Sequence, residues 1–560
     1  MRTAFSKAAC IFMFLLSASA QQQTQFPSPT YAGFSIRGTV VNALNGHILS
    51  QAQVMAAPAG GQNEVAQTVI TGADGRFEFH GLAPAKYMLL GQHAGFFRQA
   101  YDGHWGFSTA IAVGPNLDSE NLVFRLRPDA AISGTIVDEA GDAVPQAQVM
   151  LFRSGMETGT QETIQFQQTM VDDEGHYRFS HLPPGRYFVV VTARPWYAQA
   201  PTHRNVIVRP TGEQADEASV AQEAVTSSET GRSPLDLAYP VTYYAAATES
   251  SQATPIILNA GDRASADVTL TASPAVHVRI KNANSQMGMN VEVFQKVFGR
   301  EMPLGVQSQS SEGYTELVGL PAGQVLLNLQ QFGNFPNERT GGRVIAVDLA
   351  NDIEIDPTQT LLAASIYGHV TLEGATALPS RTFIQLHSLA SGEVLTGPVS
   401  PEGDFQIQAR YIQPGRYVIS TFNNGEAVVR SVTATGAQVS GRVLELAGAG
   451  PVQLRVSLSH GIGQVKGTAV RDGKPQAGVM VVLVPANYEE NPILFRRDQS
   501  DSDGTFTLDT VVPGTYMLLA IENGWDLEWR SPAVLNPYLK NGQVVQVSPG
   551  AKYDVQINVQ

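Results

Sequence analysis

One short module recurs along this chain, and it limits the fold more than any other feature. Its clearest copy, Val171–Val191, opens with the turn formers Asp172, Asp173, Glu174 and Gly175. Tyr177 and Phe179 follow two apart, so on a strand both point to one face. Leu182, Pro183, Pro184 and Gly185 break that strand, and Tyr187–Val191 resumes as a buried β-branched and aromatic run. The same spacing returns at Gly75 (Phe77, Phe79, Leu82, Pro84, Tyr87) and at Gly504 (Phe506, Leu508, Val511, Pro513, Tyr516). Gly403 carries it with two extra residues before Pro414, Gly415 and Tyr417, and Gly313 carries a worn copy with Thr315 and Leu317.

Around these modules the strands come every ~8–12 residues between Gly and Pro turns, which predicts antiparallel sandwiches. The expected fold class is therefore all-β, a tandem array of about five antiparallel immunoglobulin- or transthyretin-like sandwiches. The expected boundaries are 35–128, 129–274, 275–362, 363–461 and 462–560. The third of these is degenerate, because it lacks the Gly-Thr-Val opening of the others. A period of roughly 90–140 residues is too long for a solenoid, so each unit should hold its own core, as beads on a string. Residues 210–237 are rich in Glu, Ala, Ser, Thr and Gln, and are expected to form a mobile insertion in the second unit.

The first twenty residues read as a cleavable signal peptide: Arg2 and Lys7, then the apolar Ala8–Leu16, then Ala18-Ser19-Ala20. Residues 21–34 are a polar leader. Lys7 stands three before Cys10, which argues against lipidation, and cleavage after Ala20 would remove this only cysteine. Disulfides and thiol nucleophiles then drop out. No later run is long enough to span a bilayer. The expected location is periplasmic, cell-surface or extracellular. A net charge of −14 argues against a nucleic-acid partner.

The Gly-Thr-Val/Ile-Val opening, the later Pro-Gln-Ala-x-Val, Asp-x-Gly-x-Phe/Tyr-x-Phe and Leu-x-Pro-Gly-x-Tyr together resemble the carboxypeptidase regulatory-like domain. The resemblance is strongest over Ile132–Val191 and Val465–Leu519, present over Ile36–Leu90 and Ile366–Ile419, and faint in the third unit. It implies a secreted, seven-stranded, carbohydrate-binding-like sandwich with an accessory or adhesive role. A fold of this kind names no substrate.

Motifs for chemistry are missing from the sequence. No His-x-x-Glu, His-Glu-x-x-His, Gly-x-Ser-x-Gly or phosphate-loop pattern occurs, so no catalytic, cofactor or metal residue is assigned and the chain is read as non-enzymatic. His80, His176 and His181 are weighed as a shared metal site against ordinary strand histidines. Asp501-Ser502-Asp503-Gly504 and Asp172-Asp173-Glu174-Gly175 resemble pieces of calcium loops but lack the distal Glu, so they are read as turns.

Aromatics trail the modules: Phe96, Phe97, Tyr101 and Trp105, then Trp196 and Tyr197, then Trp525 and Trp529. Trp105, Trp196, Tyr197, Trp525 and Trp529 are the candidates for stacking on sugar rings, against the alternative of core or inter-domain packing. The expected function is binding or surface interaction, with a polysaccharide or another surface protein as partner. The runner-up is a carbohydrate-binding accessory to a separate degradative enzyme, and a hydrolase with an unfamiliar site is the third reading.

Overall fold

A computed structural model describes residues 33–199 and 233–560, without 61–65, 105, 118, 157, 282–287, 312, 333–338, 358–364, 375–376, 391, 408–411, 413, 424–426 and 448–449. The expected signal peptide, the leader through residue 32, the insertion through residue 232 and Trp105 lie outside the described residues.

The first sandwich shows how the module works. Its strands are β1 (Phe34–Asn42), β2 (Gln53–Pro58), β3 (Gln67–Ile70), β4 (Arg76–Leu82), β5 (Ala85–His93), β6 (Phe96–Ala100), β7 (Ile111–Val113) and β8 (Leu122–Leu126). One sheet runs β4-β1-β8, and the other runs β3-β2-β5-β6 with β7 also on β5. Alternation puts Ile36, Val40, Phe77 and Phe79 of the first sheet against Val54, Ala56, Tyr87 and Leu89 of the second, none more than 5% exposed. Separate core clusters lie within 130–270, 276–355, 366–458 and 465–557, each walled by its own sheets.

Each part of the motif has a structural cause. The module glycine has positive φ in every copy: 67° at Gly75, 80° at Gly175, 80° at Gly313, 99° at Gly403 and 76° at Gly504. A side chain is strained there, so the turn holds glycine. The later tyrosine donates its hydroxyl to the carbonyl four residues earlier, closing the proline turn: Tyr187 to Pro183 at 2.6 Å, Tyr516 to Val512 at 2.7 Å, Tyr87 to Ala83 at 3.2 Å. Burial raises Tyr187 and Tyr516, each to about 12, so these hydroxyls keep their protons.

The chain is all-β and built of sandwiches, as expected, with one difference from a purely antiparallel design. β1 pairs parallel with β8. Ala130–Val137 does so with Arg263–Ser265 and Val268–Thr269, and Val276–Lys281 with Ile353–Ile355. Ser365–Leu372 with Pro451–His460, and Gly463–Arg471 with Lys552–Asn558, repeat the arrangement. The chain passes through the second sheet between these two strands, which frees them from hairpin geometry.

The opening glycine belongs to that contact. Gly38 sits opposite Phe77, Gly134 opposite Tyr177, Gly368 opposite Phe405 and Gly467 opposite Phe506. A Cβ at Gly467 would lie 2.1 Å from the Val555 carbonyl oxygen and 2.7 Å from the Phe506 ring. At Gly368 the carbonyl is that of Leu454, 2.2 Å away. The worn copy changed both partners together: Ile280 sits opposite Thr315.

The sandwiches are not independent beads. The acidic turn at Asp501 docks on the first sandwich, where Lys86 pairs with Asp501 and lies 3.8 Å from Asp503. The Ala110 amide donates to Asp501 Oδ1 at 2.9 Å, and the Ala112 amide to Ser502 Oγ at 2.8 Å. Gln499 donates to the Asp102 carbonyl at 2.6 Å and to Thr109 Oγ1 at 2.8 Å. These carboxylates serve an internal lysine and an amide. The other acidic turn is a local Asx turn, in which Asp172 Oδ1 accepts from the Glu174 and His176 amides at 3.1 and 2.7 Å.

A half-buried carboxyl, Glu301, and an exposed one, Glu393, sit near the contact of the third and fourth core stretches. Burial first, and the Glu393 charge second, push Glu301 up to about 7; burial also raises Glu393. The folded state therefore holds a proton on Glu301 at pH values where the unfolded chain has released it, and stability falls as pH rises from about 4.5 to about 7. Glu301→Gln is expected to melt higher than wild type at pH 8 and to narrow the difference near pH 5. Thermal melts of both proteins at the two pH values check this; a constant gap would contradict it.

Candidate functional site

The outer face of the β3-β2-β5-β6 sheet is where this chain departs from its own repeats. Cross-strand pairing stacks Gln53 against Gln92 and Met55 against Leu90, with Ile70 beside Gln53 on β3. In the second sandwich the pairs Met150/Val190 and Phe152/Phe188 occupy this face, buried in one cluster with Val297; Phe298 packs 4.8 Å from the Phe188 ring. In the last, Met480/Ile521 and Val482/Leu519 are buried under Trp525, Trp529 and Leu535. Among the described residues nothing caps this face in the first sandwich, and Ile70 is 70% and Met88 41% exposed.

The open face forms a groove of about 690 Å³ lined by Gln51, Gln53, Gln92, Phe96, Phe97 and Arg98, among others. A depression of about 240 Å³ continues it over Met55 and Leu90. Gln92 hydrogen-bonds Gln53 side chain to side chain. One amide pair thus bonded still offers one donor side and one acceptor side to a ligand, whichever way the amides are turned. The ring of His93 meets that of Phe96 edge-on at 5.2 Å, and its Nδ1 lies 2.8 Å from the Ala94 carbonyl oxygen, which stiffens the rim. His181 reaches the groove from the second sandwich, its Nδ1 2.7 Å from Asp129 Oδ2. A left-handed backbone at His181, φ 57°, turns it outward. The site spans the junction of two sandwiches.

The aromatics singled out by sequence separate into different environments. Trp525 and Trp529 are each 4% exposed. Trp525 sits in a 3-10 turn, Gly524–Asp526, entered through Asn523 at φ 51°, and Trp529 follows beyond its end, so the even spacing of an extended strand does not apply. The Trp525 ring stacks on His104 at 5.0 Å and 8°, and its Nε1 donates to the Gly478 carbonyl at 3.2 Å. The Arg497 guanidinium sits 4.6 Å from the Trp529 ring and 4.7 Å from that of Phe107. These rings present no free face for a sugar; they join the first and last sandwiches. Trp196 is 78% exposed, but its ring stands at 87° to that of Tyr197, whose hydroxyl donates to Glu139 at 3.2 Å. That pair is no flat strip. Trp105 lies outside the described residues.

The histidines weighed for metal each face a carboxylate near them in space. His80 Nε2 is 3.4 Å from Glu78, His176 Nδ1 is 3.6 Å from Asp172, and His181 pairs with Asp129. Among the described residues, no group of three or more His, Cys, Asp or Glu is placed to hold a metal ion. No helix among them is long and apolar enough to cross a membrane.

Gln51, Gln53, Gln92 and Arg98 were not legible as site residues. The available signal was positional: aligning Tyr87 on Tyr187 and Tyr516 places Gln92 where Thr192 and Ile521 stand. A glutamine at a position that is apolar in the last copy marks a face left wet.

The fold and the open face define a multi-sandwich β protein with a surface groove. The family model of the carboxypeptidase regulatory-like domain matches the chain twice, at residues 35–126 and 131–215. The copies read over Ile366–Ile419 and Val465–Leu519 lie outside the matched residues. No curated protein matches the chain. Solved structures that the comparison matches include a Streptococcal ancillary pilin, 13% identical over 51% of this chain and 98% of that one, TM-score 0.19. The minor pilin GBS52 of Streptococcus agalactiae is 14% identical over 35% and 95%, TM-score 0.18. The major pilin subunit BcpA of Bacillus cereus is 9% identical over 77% and 99%, TM-score 0.13.

Proposed function

We propose that this chain is an exported, non-catalytic interaction protein, built of five sandwich domains and working outside the cytoplasm through the open face of the first. The carrying observation is the groove itself. It is the sheet face that the second and last sandwiches bury, here lined with amides and phenylalanines and left exposed. Exposed apolar area rimmed by polar groups marks interaction surfaces. The signal-peptide pattern at residues 1–20 supports export.

Oxidative footprinting of the mature chain on isolated envelopes of the producing cell tests this reading. Protection is expected at Met55, Met88 and Phe97. Protection confined to other surfaces, or none, would overturn it.

A second reading, a polysaccharide-binding accessory beside a separate degradative enzyme, is favoured by one specific combination. Phe96 and Phe97 line the same groove as the Gln53–Gln92 amide pair, and rings together with paired donors and acceptors match the apolar faces and hydroxyls of sugars.

A further inference from the structure

Resting on that second reading, we infer that the groove of the first sandwich takes an acidic polysaccharide, one with carboxylates on its sugar rings, and that Arg98 reads the carboxylate. The argument begins with charge. The chain as a whole carries 50 acidic side chains against 36 Lys and Arg, yet no carboxylate lines the groove, whose charged or titratable members are Arg98, His93 and His181. Elsewhere on the same sandwich Arg37 faces Glu78 and Glu120, Arg76 faces Asp74 and Lys86 faces Asp501, while Arg125 and Arg127, outside the groove lining, are exposed and in no ion pair among the described residues. Arg98 is likewise exposed and in no ion pair among the described residues, and of these three arginines it is the one that lines the groove.

A guanidinium fork holds a carboxylate through two parallel hydrogen bonds. Arg98 lines both the groove and the depression that continues it, as Gln53 and Gln92 do. A ligand carboxylate on Arg98 therefore brings the ring hydroxyls beside it within reach of the amide pair. Phe96 and Phe97 then border the ring's apolar face. A polynucleotide fits less well, because tracking phosphates needs several cations and the groove has one fixed positive charge.

The test is affinity electrophoresis and calorimetry of the mature chain with polygalacturonate, with the same polymer after carboxyl reduction, and with a sulfated glycan. Wild type is expected to bind polygalacturonate, to weaken as salt rises from ~0.05 to ~0.5 M, and to lose affinity for the reduced polymer. Arg98→Gln should weaken polygalacturonate binding about tenfold and leave melting unchanged, since the side chain is exposed. Equal binding to the reduced polymer overturns the acidic ligand while leaving the polysaccharide reading intact. Preference for the sulfated glycan overturns the carboxylate assignment. Binding that is untouched by both Arg98→Gln and Gln53→Ala/Gln92→Ala removes the site. Failure to bind any polymer ends both this inference and the polysaccharide reading.

Discussion

Replacing Trp525 and Trp529 together by alanine is expected to destabilise the last sandwich by roughly 5 kcal/mol or more, since removing one buried Trp alone costs about 3–5 kcal/mol. The two rings cap the sheet face made by Met480, Val482, Leu519 and Ile521, and all of these are within 4% of full burial. They also hold Arg497 between them, with its guanidinium 5.4 Å from one ring and 4.6 Å from the other. Both share that cation, so the double variant should not equal the sum of the singles. Denaturant melts followed by hydrogen exchange should show Gly463–Asn558 opening first while the first sandwich stays protected. Because the multi-sandwich chain need not unfold in one step, exchange by region is the safer readout. A stable double variant that had lost ligand binding would place the rings in a site instead of a core.

The second large effect belongs to a single methyl group. Gly467→Ala puts a carbon 2.1 Å from a backbone oxygen of the closing strand, and backbone cannot swing aside as a flexible side chain can. The strands Gly463–Arg471 and Lys552–Asn558 must separate or slide, at about 3 kcal/mol. Amides of Lys552–Asn558 are expected to lose exchange protection ahead of Met480–Pro485 in the other sheet. Unchanged protection in the closing strand would show that the pair adjusts without opening.

Sequence carried the repeating part of this architecture because its causes are local. A glycine at positive φ, aromatics two apart and a tyrosine four after its acceptor are each specified within a few residues. The parallel pairing was hidden, since a strand's composition does not record the direction of a partner eighty residues on. The Asp501 turn shows the same limit. Its carboxylates look alike whether they serve a cation in solution or Lys86, and that lysine stands 415 residues away in the chain. Four-residue spacing suits one face of a strand, but Trp525 sits inside a 3-10 turn and Trp529 beyond its end. The groove was half visible. Gln53 and Gln92 could be placed on the outer face by alternation, whereas the absence of a cap over that face depends on how the neighbouring sandwiches pack.

Parallel opening and closing strands also decide how such a protein carries load. In the fourth core stretch, Ser365–Leu372 lies beside Pro451–Leu458 in eight consecutive register pairs, both running the same way. The chain therefore enters the sandwich at one end of this pair and leaves it at the other. Tension between those ends pulls the two strands past each other lengthwise, across hydrogen bonds that must yield together. Had the strands been antiparallel, both ends would emerge on one side and the bonds would part singly, like a zipper. Resistance of this kind is set by the unfolding rate and not by equilibrium stability. That property follows here from the direction of one strand.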